Sequence, residues 1–428
     1  MTAPATGGFS ARDGWHYGLM GLPLAFVALP LYVHLPHLYG QVFGLSLTAL
    51  GAILLTVRLL DAVIDPWLGR WCDQLFVHGT HGIMRISAGA CGLLALGMWA
   101  LLIPPPWARA HLGLWLALGL VVVYLAFSLL TIAHQSWGAR LGGSPWVRAR
   151  IVSWREGLGL VGVVGASVLP SLVTWDVWAG LLTLSLALAW WMWRRAPRPA
   201  PALLSTSAPK IHGSIWAPWR HSAFRRLITV FVVNGSASAV PATLVLFFIQ
   251  DRLGAKAYEG IFLAIYFVCA AASLPLWLGL VKRQGLVASW GVGMALSVLV
   301  FAWVMTLGQG DLIAYAVICA LSGAALGADL AIPTALLAVV IAQQGDESSR
   351  TGAYFGWWHV ATKLNLALAA GVSLPLLAWL GYVPGQATPA GLGALSWVYG
   401  AVPCVLKIMA AWMLWRLARA QHRELASQ

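Results

Sequence analysis

The sequence predicts an all-α membrane protein of twelve transmembrane helices, and three observations carry that prediction. Only 9% of its 428 residues are charged and 60% are hydrophobic, where a water-soluble domain carries roughly 25% charged residues. Apolar segments of the roughly 20 residues needed to cross a bilayer recur from residue 17 to residue 416. Basic residues concentrate on one set of the intervening loops. Such a composition excludes a water-soluble enzyme, a disordered tail and a nucleic-acid-binding module.

The first 16 residues hold one Arg, one Asp and no apolar core, so no cleavable signal peptide is expected. Twelve spans follow, at 17–38, 43–67, 83–103, 112–135, 156–174, 177–194, 224–249, 258–281, 286–307, 311–342, 354–380 and 393–416. The tenth is long, and Pro333 is expected to kink it. The widest polar interruption, 195–222, is rich in Pro, Ser and Arg. It divides the chain into an N-terminal six-helix bundle (1–194), a cytoplasmic linker (195–222) and a C-terminal six-helix bundle (223–428). Two six-span halves joined by a basic loop is a layout common among secondary transporters.

Charge placement orients the chain. With both termini in the cytoplasm, the cytoplasmic segments hold 20 of the 26 Lys and Arg residues, and the external loops hold three, Arg109, Arg252 and Lys256. That asymmetry is what the positive-inside rule requires of an even span number. The net charge of +13 therefore reports topology in a plasma (inner) membrane, and no nucleic acid is expected as a partner.

The remaining three cations, Arg58, Lys363 and Lys407, fall inside spans. A charge at mid-bilayer costs roughly 2.5–3.5 kcal/mol on insertion scales, so such residues face a polar interior and serve a purpose. In VRLLDAVIDPWLGRWCDQ, Arg58, Asp61 and Asp65 follow a spacing of i, i+3 and i+7, which places them on one helix face. Two carboxylates a turn apart can offer oxygens to Na⁺, or share a proton because adjacent like charges raise one pKa. A charge network that merely ties helices together is the plainer alternative. Pro66 loosens the helix beside them. Lys363 in the eleventh span is the expected counter-charge, since Arg58 and Lys363 balance Asp61 and Asp65. Asp329 and Lys407 are expected to form a structural charge pair in the C-terminal half.

Other signals are weaker. Cys72, Cys91, Cys269, Cys319 and Cys404 lie far apart without a C-x-x-C pair, so neither a disulfide framework nor a zinc site is expected. Gly157 to Gly162 fits G-x-G-x-x-G but opens an apolar span with no preceding strand, which indicates close helix packing, as for Gly323 and Gly327. His34 and His37 have metal-like spacing with Pro36 between them, and no metal site is expected. Of the 25 tryptophans, Trp107, Trp175, Trp178 and Trp397 fall at span ends, as interfacial belts do. Trp357 and Trp358 are candidates to line a cavity. No H-E-x-x-H or G-x-S-x-G motif is present, and no enzymatic activity is expected.

Arg58-x-x-Asp61-Ala62-x-x-Asp65-Pro66-x-x-Gly69 resembles the second span of the glycoside–pentoside–hexuronide:cation symporters of the major facilitator superfamily, the group containing melibiose permease. The resemblance extends further. Gly69-x-x-x-Asp73 with Gly82 and Arg85 looks like the superfamily's gating loop between spans two and three. Arg148, Arg155 and Gly162 follow the family pattern, as do Asp329, Ser349-Arg350-Thr351-Gly352, Tyr354, Lys363 and Gly381-Tyr382. It implies the major facilitator fold, alternating access, and a coupling cation, H⁺ or Na⁺, held by Asp61 and Asp65. Arg58, Lys363, Arg155, Thr131, Tyr124, Trp358 and His359 are the expected substrate and coupling residues, with Tyr124 and Ser128 at helical spacing before Thr131.

The departures bear on substrate. The sugar-binding members carry an aspartate where this chain has Ala25, and another before I-P where Thr131 precedes Ile132. Arg140 replaces the acid of G-x-E-L, and Trp358 and His359 replace polar residues before the family lysine. Carboxylates hold sugar hydroxyls best, so their loss argues against a melibiose-like site. The pattern is also similar to animal sodium-dependent lysophospholipid carriers. The expectation is thus a cation-coupled secondary transporter of a small organic solute, by resemblance a sugar or glycoside. A lipid or amphiphile carrier is one alternative, and a non-transporting membrane scaffold or sensor is another. Expected partners are the solute, the cation and membrane lipids, with no cofactor beyond the coupling ion, and the chain is expected to act as a monomer.

Overall fold

The structure, a computed structural model, describes residues 9–77, 79–199, 214–385 and 388–426. Among these residues all regular structure is helical. The part of the predicted linker from 200 to 213 lies outside the described residues, as does the side chain of His37.

A capping box opens α1 (Ala11–Gly18): the Asp13 amide donates to Ser10 Oγ at 3.1 Å, and the Ser10 amide donates to Asp13 Oδ2 at 3.0 Å. The first span is not one helix. After α2 (Gly21–Leu29) a π-helical turn (Pro30–His34), α3 (Leu35–His37) and a second π-helical turn (Leu38–Val42) follow. Pro30 and Pro36 each lack the amide that an uninterrupted ladder needs, and the wider turns absorb the loss.

The remaining passes are longer: α4 (Leu47–Val77), α5 (Thr80–Leu102), α6 (Leu112–Arg140), α7 (Pro145–Val168) and α8 (Trp175–Trp193). After the short α9 (Ala217–Arg220) come α10 (Ser222–Phe247), α11 (Glu259–Val304), α12 (Leu312–Gln343), α13 (Thr351–Trp379) and α14 (Pro389–Ala426). Spans eight and nine form the single element α11, interrupted where Gly285 adopts φ 83°, ψ 174°. Only glycine occupies that region without strain. Eight helical stretches among the described residues are long and apolar enough to cross a membrane, and one of them, Lys256–Val304, contains both spans of α11. The broken first span, the charged α4 and the 19-residue α8 complete the twelve passes.

The chain divides into two compact units, Met1–Pro218 with Ile341–Val360, and Trp219–Val340 with Ala361–Gln428. In the first unit α2 packs on α7, α4 on α6, and α5 on α6 and α8. Backbones meet closely there. A Cβ at Gly162 would lie 2.2 Å from the Leu22 carbonyl oxygen, and one at Gly21 would lie 2.2 Å from that of Arg155. The glycine run of α7 is therefore a packing surface. In the second unit α14 packs on α10 and α11, around fully buried Leu244, Phe248, Val304, Leu395 and Val398. Phe248 stacks on Tyr399 with centroids 4.4 Å apart. Gly323 meets the Tyr266 carbonyl as Gly162 meets Leu22.

The tryptophan expectation needs one correction. Trp107 and Trp397 are exposed, but Trp178 is completely buried, stacked on Phe26 at 4.5 Å. It sits a turn inside α8, on the face that α2 covers. No disulfide links the five cysteines, and all but Cys269 are buried.

Candidate functional site

Three clusters of buried and half-buried polar side chains hold most of the charges that the sequence singles out. The first centres on α4. Asp61 and Asp65 are 5% and 0% exposed, while Arg58 on the same face is half-buried. The apolar residues on the other side of this helix, Leu55, Leu59, Val63 and Trp67, are exposed, as a lipid-facing surface would be. Across from the acids runs α6, where Tyr124, Ser128, Thr131 and Gln135 repeat at helical spacing and are all buried. The Ser128 hydroxyl donates to Asp61 Oδ1 at 2.9 Å. Thr131 instead donates back to its own helix, to the Phe127 carbonyl at 2.7 Å. Buried acids require such partners, because an isolated carboxylate in an apolar interior is very costly. Gln135, one turn further along α6, meets His359 Nε2 at 2.9 Å. Trp358 beside it is buried. Arg155 on α7 pairs with its neighbour Glu156 at 2.5 Å.

The second cluster lies at the end of α4. Asp73, 1% exposed, accepts from the amides of Gly352 (2.6 Å) and Ala353 (2.9 Å) at the start of α13, and from Arg140 Nη2 at 2.6 Å. An anion at a helix N-terminus satisfies amides that lack intrahelical partners and complements the helix dipole. Arg140 also donates to the Ser348 carbonyl at 2.6 Å, and Arg148 pairs with Glu347 at 2.8 Å. Arg350 pairs with Asp346 at 2.9 Å, and the Tyr354 hydroxyl donates to the same carboxylate. Glycines permit this docking: a Cβ at Gly69 would lie 2.0 Å from the Gly352 oxygen, and one at Gly356 would lie 2.6 Å from the Asp65 oxygen. The stretch 341–360 thus seats against α4, α6 and α7 within one unit. Arg85 is exposed on α5 and takes no part in this network among the described residues.

The third cluster is in the other unit. Asp329 on α12 accepts from Asn234 (3.0 Å), Ser238 (3.3 Å), the Trp290 indole (2.9 Å) and the Lys407 ammonium. Lys407 also donates to Asn234 Oδ1 at 2.9 Å. Asp329 and Lys407 are therefore in direct contact, as their placement in the sequence suggests. Lys363 is half-buried on α13 in this same unit.

The sequence reading missed several participants. Arg140 entered only as a departure from a family acid, and Glu347 not at all. Their partners lie up to 208 positions away, beyond any local pattern. Ser128, by contrast, is marked in the sequence by its helical spacing before Thr131.

Comparison with known proteins identifies the family. The model of the MFS/sugar transport protein family matches residues 16–418. The chain belongs to this family. Among curated proteins, one from Escherichia coli (strain K12), provisionally named the glycoside/cation symporter YagG, is 25% identical over 158 residues. That match spans 36% of this chain and 34% of the relative's length. Among solved structures, a bacterial homologue of the iron transporter ferroportin in an outward-facing state aligns over 96% of this chain and 99% of its own, with 16% identity and a TM-score of 0.69. The proton:xylose symporter XylE aligns over 95% and 94%, with 15% identity and a TM-score of 0.64. The fucose:proton symporter FucP of E. coli aligns over 94% and 98%, with 13% identity and a TM-score of 0.62. At these identities the structures speak to fold, and the fold is that of the major facilitator superfamily. A member of the MFS/sugar transport family with this fold is a multi-pass integral membrane protein and a secondary transporter.

Proposed function

We propose that the protein couples an H⁺ or Na⁺ gradient to the movement of a small organic solute, a sugar or glycoside, by alternating access. The observation that carries the proposal is the buried pair of acids on one face of α4 with the Ser128 hydroxyl on Asp61. The names of YagG, XylE and FucP, all symporters, support coupling and the solute class. In this mechanism Asp61 and Asp65 take the cation, and Arg58 and Lys363 lose part of their counter-charge and shift. A ligand drives such a switch only by binding one state better than the other. Tyr124, Thr131, Arg155, Trp358 and His359 contact solute. Release of 341–360 from Asp73 and Gly69 accompanies the change of state, and the six-span bundles 1–194 and 223–428 are the moving bodies. The chain works as a monomer in the plasma (inner) membrane with both termini in the cytoplasm, which the 20-to-3 distribution of basic residues supports.

A second reading, a carrier of lysolipids or other amphiphiles with the same cation site, is favoured by Ala25 and Thr131 standing where sugar-binding members have acids, and by buried Trp358. Proteoliposomes loaded against H⁺ or Na⁺ gradients and offered radiolabelled glycosides or lysolipids separate the two. Asp65→Asn should abolish gradient-driven accumulation while the protein still inserts. Normal accumulation by that variant would remove the cation role of Asp65.

A further inference from the structure

Spans six and twelve end in the same local device. In each, a tryptophan is followed four residues later by an arginine, twice over: Trp190 and Arg194, Trp191 and Arg195 in and just beyond α8; Trp412 and Arg416, Trp415 and Arg419 in α14. All four guanidinium groups lie over their indole rings, with centroid distances of 4.9, 3.5, 3.7 and 3.6 Å respectively. Topology alone would place cations at these span ends, but it does not require each to lie over an indole ring. A guanidinium placed over a ring face still presents N–H donors at its edge, and that planar fork matches phosphate oxygens.

Beside the first pair of rings is a cavity of about 300 Å³ lined by Thr80, His81, Trp191, Arg194, Arg195 and Arg198, among others, with no acidic residue in its wall. Its walls are fixed. The Trp190 indole donates to the Met84 carbonyl at 3.1 Å, and the Trp137 indole donates to the Pro197 carbonyl at 2.9 Å, pinning the turn that carries Arg195 and Arg198. Arg194, Arg195 and Arg198 are exposed and form no salt bridge among the described residues. A second cavity, of about 490 Å³, lies against Arg225, Arg226, Trp412 and Arg416 in the other unit. Each cavity adjoins the end of a membrane-spanning helix, where an exposed tryptophan such as Trp191 marks the headgroup level.

We infer that the Arg194–Arg195–Arg198 cavity binds the phosphate of an anionic phospholipid headgroup, with Trp191 as the platform that holds Arg195 in its phosphate-binding pose. Three cations without carboxylate partners among the described residues fit a phosphodiester, and the position at a helix end fits a lipid better than a solute in bulk water.

The test uses the purified full-length protein in nanodiscs and detergent, with lipid retention measured by native mass spectrometry and thermal stability measured in parallel. Wild type should retain phosphatidylglycerol over phosphatidylcholine and melt about 2–4 °C higher in its presence. Arg195→Gln with Arg198→Gln should weaken phosphatidylglycerol retention roughly 30-fold, at about a decade or less per arginine. Arg195→Lys with Arg198→Lys, which keeps both charges but loses the guanidinium fork, should fold as wild type does and fall between wild type and the glutamine variant in phosphatidylglycerol retention. Equal retention of both lipids, or an unchanged preference in the glutamine variant, overturns the inference. Reproduction of the stabilisation by inorganic phosphate alone overturns the lipid assignment in favour of a free anion.

Discussion

Two carboxylates, one in each unit, the buried Asp73 and the half-buried Asp329, are satisfied by different kinds of donor. Asp329 is held by four side chains, Asn234, Ser238, Trp290 and Lys407, contributed by α10, α11 and α14 of its own unit. Asp73 is held by Arg140 and by two backbone amides, Gly352 and Ala353, from a stretch about 280 residues further along the chain. The first arrangement comes apart only if several packed helices separate. The second loses two donors at once if a single stretch withdraws, and Arg140 then keeps the anion company. Asp329 has the character of a fastening, and Asp73 that of a catch.

A series of substitutions would break or sharpen that contrast. Asp329→Ala should have the largest effect, because it strands a buried lysine: a loss of about 3–5 kcal/mol in unfolding stability, read by thermal denaturation in detergent. If Asp73→Ala costs as much or more, the contrast fails. Gly352→Ala comes next. Its methyl group would lie 2.1 Å from the Gly69 oxygen, an overpacking worth about 1–3 kcal/mol that should fall on the docked stretch. A cysteine placed at Ser349 should then react with maleimide severalfold faster, while the stability set by the Asp329 cluster stays unchanged. Arg85→Gln should be the smallest, within about 0.5 kcal/mol and without effect on transport. Loss of transport in that variant would support the gating part that the family resemblance implies for Arg85.

Much of this was legible in the sequence, for identifiable reasons. The Arg58, Asp61 and Asp65 face follows from helical spacing alone, and Asp329 and Lys407 find each other because unpaired charges do not persist among apolar helices. The glycines of α7 betray close packing in the same way. What was not legible depends on the chain folding back. Arg140 looks like a lost acid until Asp73 and Ser348 are brought to it, and the break in the first span depends on how the chain accommodates Pro30 and Pro36 together. Trp178 resembles an interfacial residue because its neighbours Trp175 and Asp176 lie at a helix start, while the contact that buries it comes from Phe26.

Gly285 touches nothing: a β-carbon there would find open space within 4 Å, yet its φ of 83° with ψ of 174° belongs to glycine alone. In a saturation library scored by growth, that position would appear as one intolerant column in an otherwise permissive neighbourhood, with the signature usually ascribed to a contact residue. Selection would be guarding the hairpin between two spans and not a chemical group, so an intolerance map of this transporter needs its backbone angles overlaid before any column is assigned to solute or ion.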